Sequence, residues 1–134
     1  MLLRRLGPLL ALVFLLSSGC ARSAERITAQ QAAALLAQGQ AVLVDVREPA
    51  EWKQTGVAAP AELLAKSDFD GAKRAWAPFL ERHGKDKTLL LICRSGRRSG
   101  IIADALAAQG YKTLNVGAFS DWAAAGLPVR PVAP

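Results

Sequence analysis

A single cysteine stands between a short apolar run and a cluster of arginines. The run is Thr88-Leu-Leu-Leu-Ile92, and the residues that follow it read Cys93-Arg-Ser-Gly-Arg-Arg-Ser99. A thiol at a helix N-terminus and beside cationic groups has a lowered pKa and is largely thiolate near neutral pH. Ser95 and Gly96 are small, so the backbone can curl closely around the sulfur. The segment therefore predicts a nucleophilic thiolate that reacts with an anion.

The residues after the cysteine are candidate ligands for that anion. Guanidinium groups make charge-assisted hydrogen bonds to anions, and backbone N–H groups of a strand-to-helix loop converge at the positive end of the helix dipole. An inert buried cysteine would leave the three arginines unexplained. We therefore take Cys93 as the candidate catalytic residue, and the candidate anion-binding loop comprises Arg94, Ser95, Gly96, Arg97, Arg98 and Ser99.

Two charged residues near the end of an earlier apolar run are candidate supporting groups. The run is Ala41-Val-Leu-Val-Asp-Val46, and Arg47 follows it. We expect Asp45 to accept hydrogen bonds from loop N–H groups and Arg47 to pair with a neighbouring acid, which supports a site without taking part in its chemistry. His83, the one histidine, is expected at a solvated helix end. One histidine and one available cysteine cannot form a tetrahedral metal site, and a cysteine–histidine hydrolase is disfavoured.

The elements that must position these residues alternate between strands and helices. The pattern predicts strands over 41–46, 88–92 and 112–116, and helices over 29–38, 48–54, 69–83, 99–109 and 120–125. The segment 57–64 is expected to be a loop with at most one short strand. Such alternation indicates an α/β fold with a parallel sheet covered by helices on both faces. Ligands bind beyond the carboxyl ends of such strands, where Cys93 lies. The three tryptophans are expected in the core: Trp52, Trp76 and Trp122.

The first twenty residues have the pattern of an export signal. Arg4 and Arg5 precede an apolar run, Leu9–Leu16, that is too short to span a bilayer. The following Leu16-Ser-Ser-Gly-Cys20 resembles the lipobox of bacterial lipoproteins, which implies that Cys20 is lipidated and becomes the new N-terminus. The alternative is an ordinary secretory signal that is cleaved nearby. We expect an exported protein on the periplasmic side of a bacterial membrane, with the outer membrane preferred because no acidic retention residue follows Cys20.

Length and charge indicate the number of domains and the kind of binding partner. The chain has 134 residues, the size of one domain. Its 17 Lys and Arg outnumber 11 Asp and Glu, but no basic stripe with interleaved aromatic residues indicates nucleic-acid binding. A small anion fits the arginine cluster better. Because Cys20 is expected to carry the lipid, Cys93 would have no disulfide partner in the mature chain.

Three motifs in order resemble a single-domain rhodanese, a sulfurtransferase. They are Cys93-Arg-Ser-Gly-Arg-Arg-Ser99, Asp45-Val-Arg-Glu-Pro-Ala-Glu-Trp52 and Asn115-Val-Gly-Ala-Phe-Ser-Asp-Trp-Ala-Ala-Ala-Gly-Leu-Pro-Val129. The resemblance implies a three-layer fold with four to five parallel strands. It also implies that Cys93 takes a sulfane sulfur from a donor such as thiosulfate, holds it as a persulfide, and passes it to a thiophilic acceptor such as cyanide or a thiol. No cofactor is needed.

The resemblance sets the expected domain limits. A signal over 1–20 and a polar tether over 21–26 precede a rhodanese-like domain over 27–129, and 130–134 form a tail. Two departures lie outside the sulfur loop. Gln54-Thr-Gly-Val-Ala-Ala-Pro-Ala61 stands where many members have Gly-His-Ile-Pro-Gly-Ala, and Ala118 replaces a frequent second glycine. One wall of the pocket is therefore expected to differ in shape from that of other members.

Two other functions remain open at this point. A cysteine phosphatase or an arsenate reductase-like enzyme also uses a thiolate at a strand-to-helix turn, but phosphatases resemble Cys-x5-Arg. Here the sixth residue after Cys93 is Ser99, and the last arginine comes one place early at Arg98. A shorter loop fits a sulfur atom better than a phosphoryl group. A binding module that keeps the fold without turnover is the other alternative, since one fold hosts many functions.

Overall fold

The computed structural model describes residues 23–134, so the predictions for the signal, for Cys20 and for the start of the tether lie outside the described residues. In chain order the elements are α1 (Ala29–Ala37), β1 (Ala41–Asp45), α2 (Pro49–Thr55), β2 (Val57–Ala58), β3 (Glu62–Leu63), α3 (Lys66–Asp70), α4 (Trp76–His83), β4 (Thr88–Cys93), α5 (Arg97–Ala108), β5 (Lys112–Ala118), α6 (Phe119–Ala124) and β6 (Val129–Arg130). None of the helices in residues 23–134 has the length and apolar character needed to cross a membrane.

A four-stranded parallel sheet forms the centre of the domain. Its strand order is β3-β1-β4-β5. The two central strands, β1 and β4, are the continuous apolar runs of the sequence, as expected of strands that helices cover on both faces. This confirms the α/β prediction of a parallel sheet with four to five strands. A separate antiparallel pair joins β2 to β6.

The helices form a layer on each face of the sheet. Side chains of β4 alternate between two buried clusters: Leu89, Leu91 and Cys93 enter one, and Leu90 and Ile92 enter the other. The first cluster includes residues of α3, α4 and α5, and the second includes residues of α1 and α6. Alternation with period two is the geometry of a strand, so the thiol faces the α5 side of the sheet.

Local capping signals define the first helix as predicted. The hydroxyl of Thr28 accepts from the backbone N–H of Gln31 at 3.1 Å, and the Gln31 side chain accepts from the Thr28 N–H at 2.8 Å. This reciprocal pair is a capping box. Helix α2 begins with Pro49, where the missing N–H costs no hydrogen bond.

The single helix predicted over 69–83 is wrong. The structure has two helices, α3 and α4, with a turn over 71–75 between them. The carboxylate of Asp68 accepts from the backbone N–H groups of Arg74, Ala75 and Trp76, which stabilises the break and the start of α4. Pro78 falls in the first turn of α4, where its missing N–H is not needed for a helical bond.

Other boundaries also differ from the predictions. The segment 57–64 holds two short strands, β2 and β3, where at most one was expected, and β6 was not predicted. Helix α5 begins at Arg97, two residues early, and β5 extends to Ala118. The end of the expected tether is not free: Glu25 O accepts from Asn115 N at 2.8 Å, and Ile27 N donates to Asn115 O at 3.0 Å. Residues 25–27 thus extend the sheet beyond β5.

The aromatic predictions and the histidine prediction have different outcomes. Trp52, Trp76 and Trp122 are buried, as expected. The prediction of a solvated His83 is wrong, because its side chain is only 18% exposed. Its ring packs against Phe79 with a centroid distance of 4.7 Å. His83 therefore belongs to the helix packing and lies outside the site of Cys93.

Candidate active site

Cys93 is the last residue of β4, at the carboxyl edge of the parallel sheet. It is fully buried, and three residues, Arg94, Ser95 and Gly96, connect it to α5. Gly96 has φ +93° and ψ −5°, a left-handed conformation that residues with a side chain rarely adopt. This turn brings the first residues of α5 back over the end of β4, so the loop closes around the sulfur.

Hydrogen-bond donors from the loop and the helix converge on the sulfur. The backbone N–H of Gly96 lies 3.0 Å from the Cys93 Sγ, and the hydroxyl oxygen of Ser99 lies 3.3 Å from it. Burial raises the pKa of the Cys93 thiol, but the Ser99 hydroxyl and the backbone N–H groups of Ser99, Ser95 and Gly96 outweigh that effect and lower the pKa overall. The loop is thus arranged to hold an anionic sulfur.

The three arginines of the loop have different surroundings. Arg98 makes a bidentate ion pair with Glu51 of α2, with N–O distances of 2.7 and 2.8 Å. Arg94 and Arg97 are exposed, and neither makes an ion pair within residues 23–134. Arg94 lines a cavity of about 600 Å³ whose other lining residues are Arg47, Glu51, Gln54, Thr55, Phe119 and Ser120. The arginines are therefore not equivalent anion ligands.

Asp45 and Arg47 form a buried pair that supports this cavity. The Arg47 guanidinium bonds both oxygens of the Asp45 carboxylate, with the shortest contact at 2.7 Å. Asp45 also accepts from the backbone N–H of Arg47 and from the indole N–H of Trp52. Arg47 further donates to Gly56 O and stacks 4.3 Å from the ring centre of Phe119. Both residues are fully engaged, as groups that stabilise a site's geometry are.

Residues 28–125 match the family described as "Rhodanese-like domain". The match includes β1 to α6 and all the residues around the sulfur described above. The chain belongs to this rhodanese-like family.

Similar proteins in other organisms agree with this family. A Schizosaccharomyces pombe protein named "Putative thiosulfate sulfurtransferase, mitochondrial" is 33% identical over 88 residues, which cover 60% of this chain and 62% of that protein. The match thus includes less than two thirds of the relative's length.

Two solved structures share the fold and have different descriptions. A Rhodopseudomonas palustris protein of unknown function, described as "Possible Tyrosine Phosphatase", has a TM-score of 0.64 at 25% identity and covers 80% of this chain and 85% of its own. The polysulfide-sulfur transferase homodimer of Wolinella succinogenes has a TM-score of 0.64 at 22% identity and covers 82% and 80%. At such identities the similarity establishes the rhodanese-like fold. The reaction has to be inferred from the residues around Cys93.

Three residues at this site were missed by the sequence reasoning. Asn115 is 7% exposed and accepts from the Ser99 hydroxyl at 2.7 Å. Glu51 is the partner of Arg98, and Arg26 reaches the loop from the N-terminal segment, with a guanidinium nitrogen 3.4 Å from Ser95 O. A polar residue inside a predicted buried strand was a signal for Asn115. No comparable signal marked Glu51, which contacts Arg98 across 47 residues of sequence.

A bulge in β5 places Asn115 and Gly117 beside the loop. Leu91 pairs with Asn115 and Ile92 pairs with Gly117, so Val116 is an extra residue in β5. Bulges change the direction of neighbouring side chains and are frequent next to functional sites. Here Asn115 Oδ1 accepts from Gly117 N at 3.0 Å, and Asn115 Nδ2 donates to Gly96 O at 2.9 Å. Through the side chain of Asn115, β5 is thus hydrogen-bonded directly to the sulfur loop.

The Glu51–Arg98 pair predicts an acid-sensitive contribution to stability. Arg98 lowers the pKa of Glu51 from its ordinary value of 4.5 to about 2. A group whose pKa is depressed by folding stabilises the protein above its unfolded-state pKa, and that contribution is lost as the pH falls through the folded-state value. Between pH 4.5 and 2, the unfolding free energy of the original chain should therefore decrease. In the Glu51→Gln variant, that decrease should be smaller by an amount on the order of 1 kcal/mol.

Urea denaturation at several pH values measures this effect. The matched control is Glu81→Gln on α4, because Glu81 is exposed and makes no ion pair within residues 23–134. The control should keep the full acid dependence of the original chain. An equal acid dependence in the Glu51→Gln variant and in the control would contradict the prediction.

Proposed function

We propose that this chain is a sulfurtransferase that carries a sulfane sulfur as a persulfide on Cys93. The observation that carries the proposal is the buried sulfur at the end of β4, which faces the N–H of Gly96 and the hydroxyl of Ser99. Donors fixed in place before the reaction stabilise negative charge without reorganising. The same donors serve the thiolate before the reaction and the persulfide after it.

The reaction consists of two displacements at sulfur. The Cys93 thiolate attacks the outer sulfur of a donor such as thiosulfate, the sulfur–sulfur bond of the donor breaks, and sulfite leaves with the bonding electron pair. An acceptor such as cyanide or a thiolate then attacks the terminal sulfur of the persulfide, and Cys93 leaves as the thiolate. No external oxidant or reductant is consumed. A thiolate with a lowered pKa is available near neutral pH and is also a good leaving group.

The donor anion binds beside Arg94 in this proposal. Arg47 and Arg98 are neutralised by Asp45 and Glu51, so their charges serve the structure. Arg94 follows the nucleophile directly, is exposed, and lines the cavity in front of Phe119. Its guanidinium can bind an anionic donor by charge-assisted hydrogen bonds.

The persulfide has to be discharged by an external acceptor. Cys93 is the one free cysteine of residues 23–134, so the described part of the chain has no second thiol to attack the persulfide. Sulfur transfer therefore takes place between this chain and an acceptor that reaches the cavity beside Arg94.

A phosphatase is the second candidate, because a structure of similar fold is described as "Possible Tyrosine Phosphatase". The loop of this chain favours sulfur transfer instead. Only three residues separate Cys93 from α5, and the last arginine of the loop, Arg98, is bound by Glu51. A phosphoryl group needs donors for three equatorial oxygens, and the sulfur itself already occupies the donors of Gly96 and Ser99.

The first prediction of the proposal concerns a covalent intermediate. Incubation with thiosulfate should add the mass of one sulfur atom to the chain, and cyanide should remove that mass with formation of thiocyanate. Cys93→Ser should gain no sulfur, because the hydroxyl is a poor nucleophile near neutral pH. Intact-protein mass spectrometry and a thiocyanate assay measure both steps.

A parallel assay separates this reaction from the second candidate. Hydrolysis of an aryl phosphate that requires Cys93, without any gain of sulfur, would replace the proposal with a phosphatase. Inactivity of the folded chain in both assays would leave a binding module.

A second prediction concerns the donor site. Arg94→Ala should raise the KM for thiosulfate about tenfold, since the loss of a hydrogen bond to a charged group has this size. The kcat should change less, because the donors of the sulfur remain. Lys112→Ala is the matched control: Lys112 is exposed and pairs with Thr88 at the opposite edge of the sheet. Equal effects of the two variants on KM would contradict a specific role of Arg94.

We also propose that Cys20 anchors the chain to the periplasmic side of a membrane. The support is the lipobox-like Leu16-Ser-Ser-Gly-Cys20 after a short apolar run. When the full chain is expressed in a bacterial host, it should sediment with membranes and dissolve only in detergent. Cys20→Ala should shift it to the soluble fraction. A soluble original chain cleaved at Ala21 or Ala24 would favour the ordinary secretory signal instead.

A further inference from the structure

A buried hydroxyl lies between the sulfur and an amide oxygen. The Ser99 Oγ is 3.3 Å from the Cys93 Sγ and 2.7 Å from the Asn115 Oδ1. Cys93 and Ser99 are fully buried, and Asn115 is 7% exposed. Both neighbours of the hydroxyl can accept a hydrogen bond, since a thiolate and an amide oxygen are acceptors.

The hydroxyl cannot serve both acceptors at once, because serine has one hydroxyl hydrogen. While Cys93 is a thiol, its S–H can donate to the Ser99 Oγ, and the hydroxyl can donate to Asn115 Oδ1. The short Oγ–Oδ1 distance of 2.7 Å fits that arrangement. Once the thiol proton has left to water, the sulfur has no hydrogen and carries a charge. The charged acceptor makes the stronger hydrogen bond, so the hydroxyl should rotate towards the sulfur.

Asn115 is held in place on either side of this change. Its Oδ1 also accepts from the backbone N–H of Gly117 at 3.0 Å, and its Nδ2 donates to Gly96 O at 2.9 Å. Rotation of the hydroxyl therefore leaves the buried amide oxygen with a donor, and the penalty of an unsatisfied buried acceptor is avoided. The bulge at Val116 brings the Gly117 N–H into this position.

We propose that Asn115 is a positioning residue that holds the Ser99 hydroxyl while Cys93 is protonated and releases it to the sulfur when the proton leaves. A neutral amide suits this role, because it accepts more weakly than a thiolate and more strongly than a buried thiol. The inference deepens the proposed function, since it concerns the same sulfur. Its test follows the titration of Cys93 and does not require sulfur transfer.

Other charged groups around the loop provide the background of this titration. They lie on four parts of the chain: Arg98 on α5 with Glu51 on α2, Asp45 and Arg47 at the end of β1, and Arg26 in the N-terminal segment. Arg94 on the loop and Arg97 at the start of α5 are exposed. Within residues 23–134, the Ser99 hydroxyl is hydrogen-bonded to Cys93 and Asn115 and to none of these groups, so substitutions of Ser99 and Asn115 leave them in place.

The first test is the pH dependence of Cys93 alkylation by iodoacetamide. The full chain carries Cys20→Ala, which leaves Cys93 as its one thiol. Ser99→Ala should raise the midpoint by about one pH unit or more, because the thiolate loses a donor. Asn115→Asp should also raise it, since a carboxylate retains the hydroxyl hydrogen and adds a negative charge. That second shift should be smaller in the Ser99→Ala background, where the charge and the lost bond to Gly96 O remain but no hydroxyl hydrogen is retained.

The comparison of the two backgrounds decides the inference. Equal shifts by Asn115→Asp with and without the Ser99 hydroxyl would mean that residue 115 does not act through that hydroxyl, and the proposal would be wrong. Thr113→Val is the matched control, because it also removes a hydroxyl between β5 and α5, where Thr113 donates to Ala103 O at 2.9 Å. This variant should leave the alkylation midpoint unchanged.

A second measurement avoids any substitution at Asn115. In the ¹⁵N-labelled chain, the amide signal of Gly117 should move with the Cys93 midpoint, because its acceptor, Asn115 Oδ1, loses the hydroxyl at that pH. The movement should be much smaller in the Ser99→Ala variant, although Gly96, which faces the sulfur directly, should still respond. A Gly117 signal that moves equally in both chains would refute the inference. If sulfur is transferred but the Gly117 signal does not follow the Cys93 midpoint, the inference fails and the proposed function stands. If the Gly117 signal follows the midpoint but no sulfur is transferred, the proposed function fails and the inference stands.

Discussion

The structure of this domain depends on placing the sulfur of Cys93 in a fully buried position with hydrogen-bond donors around it. Burial of an unpaired charge is costly, so Cys93 can be a thiolate only where donors surround it. Three features supply them: the parallel strand β4 ends at the sulfur, the left-handed Gly96 turns the chain and directs its own N–H at the sulfur, and the Ser99 hydroxyl of α5 lies beside it. A side chain at residue 96 would meet the Arg26 guanidinium at 2.8 Å. The turn around the sulfur requires glycine for its left-handed conformation, whereas the Arg26 guanidinium is the end of a flexible side chain that can move aside.

The charged residues near the sulfur divide into structural and available groups. Arg47 and Arg98 are each bound by a carboxylate. The first pair connects α2 to the end of β1, and the second connects α2 to α5. Breaking one member of such a pair leaves an uncompensated charge in a partly buried place, which costs more than the pair contributes. Arg94 differs because it is exposed and lies beside the cavity. Under the proposed function, this division lets Arg94 bind a mobile anion while Arg47 and Arg98 keep the walls of the cavity fixed.

The features that could be predicted from sequence are those with local causes. The apolar runs of β1 and β4, the Thr28 cap and the small residues after Cys93 each have a signal within a few positions, and the parallel sheet follows from their order. The break between α3 and α4 was missed because it depends on Asp68 accepting from three N–H groups, and a periodicity of apolar residues does not register this. Glu51 and Asn115 were missed because their partners, Arg98 and Ser99, are distant in sequence and adjacent only in the folded chain.

The N-terminal segment connects the sulfur loop to the proposed membrane anchor. Arg26 packs against Gly96 and Gly117, where added side chains would meet its guanidinium at 2.8 and 2.6 Å, and residues 25–27 pair with β5. Six residue steps separate Cys20 from Arg26, and an extended chain spans at most about 3.6 Å per residue. A lipid on Cys20 would therefore hold the sulfur loop within roughly 20 Å of the bilayer surface. Anchoring at this edge of the sheet would favour acceptors that are themselves at the membrane, since such acceptors reach the loop without crossing the width of the domain.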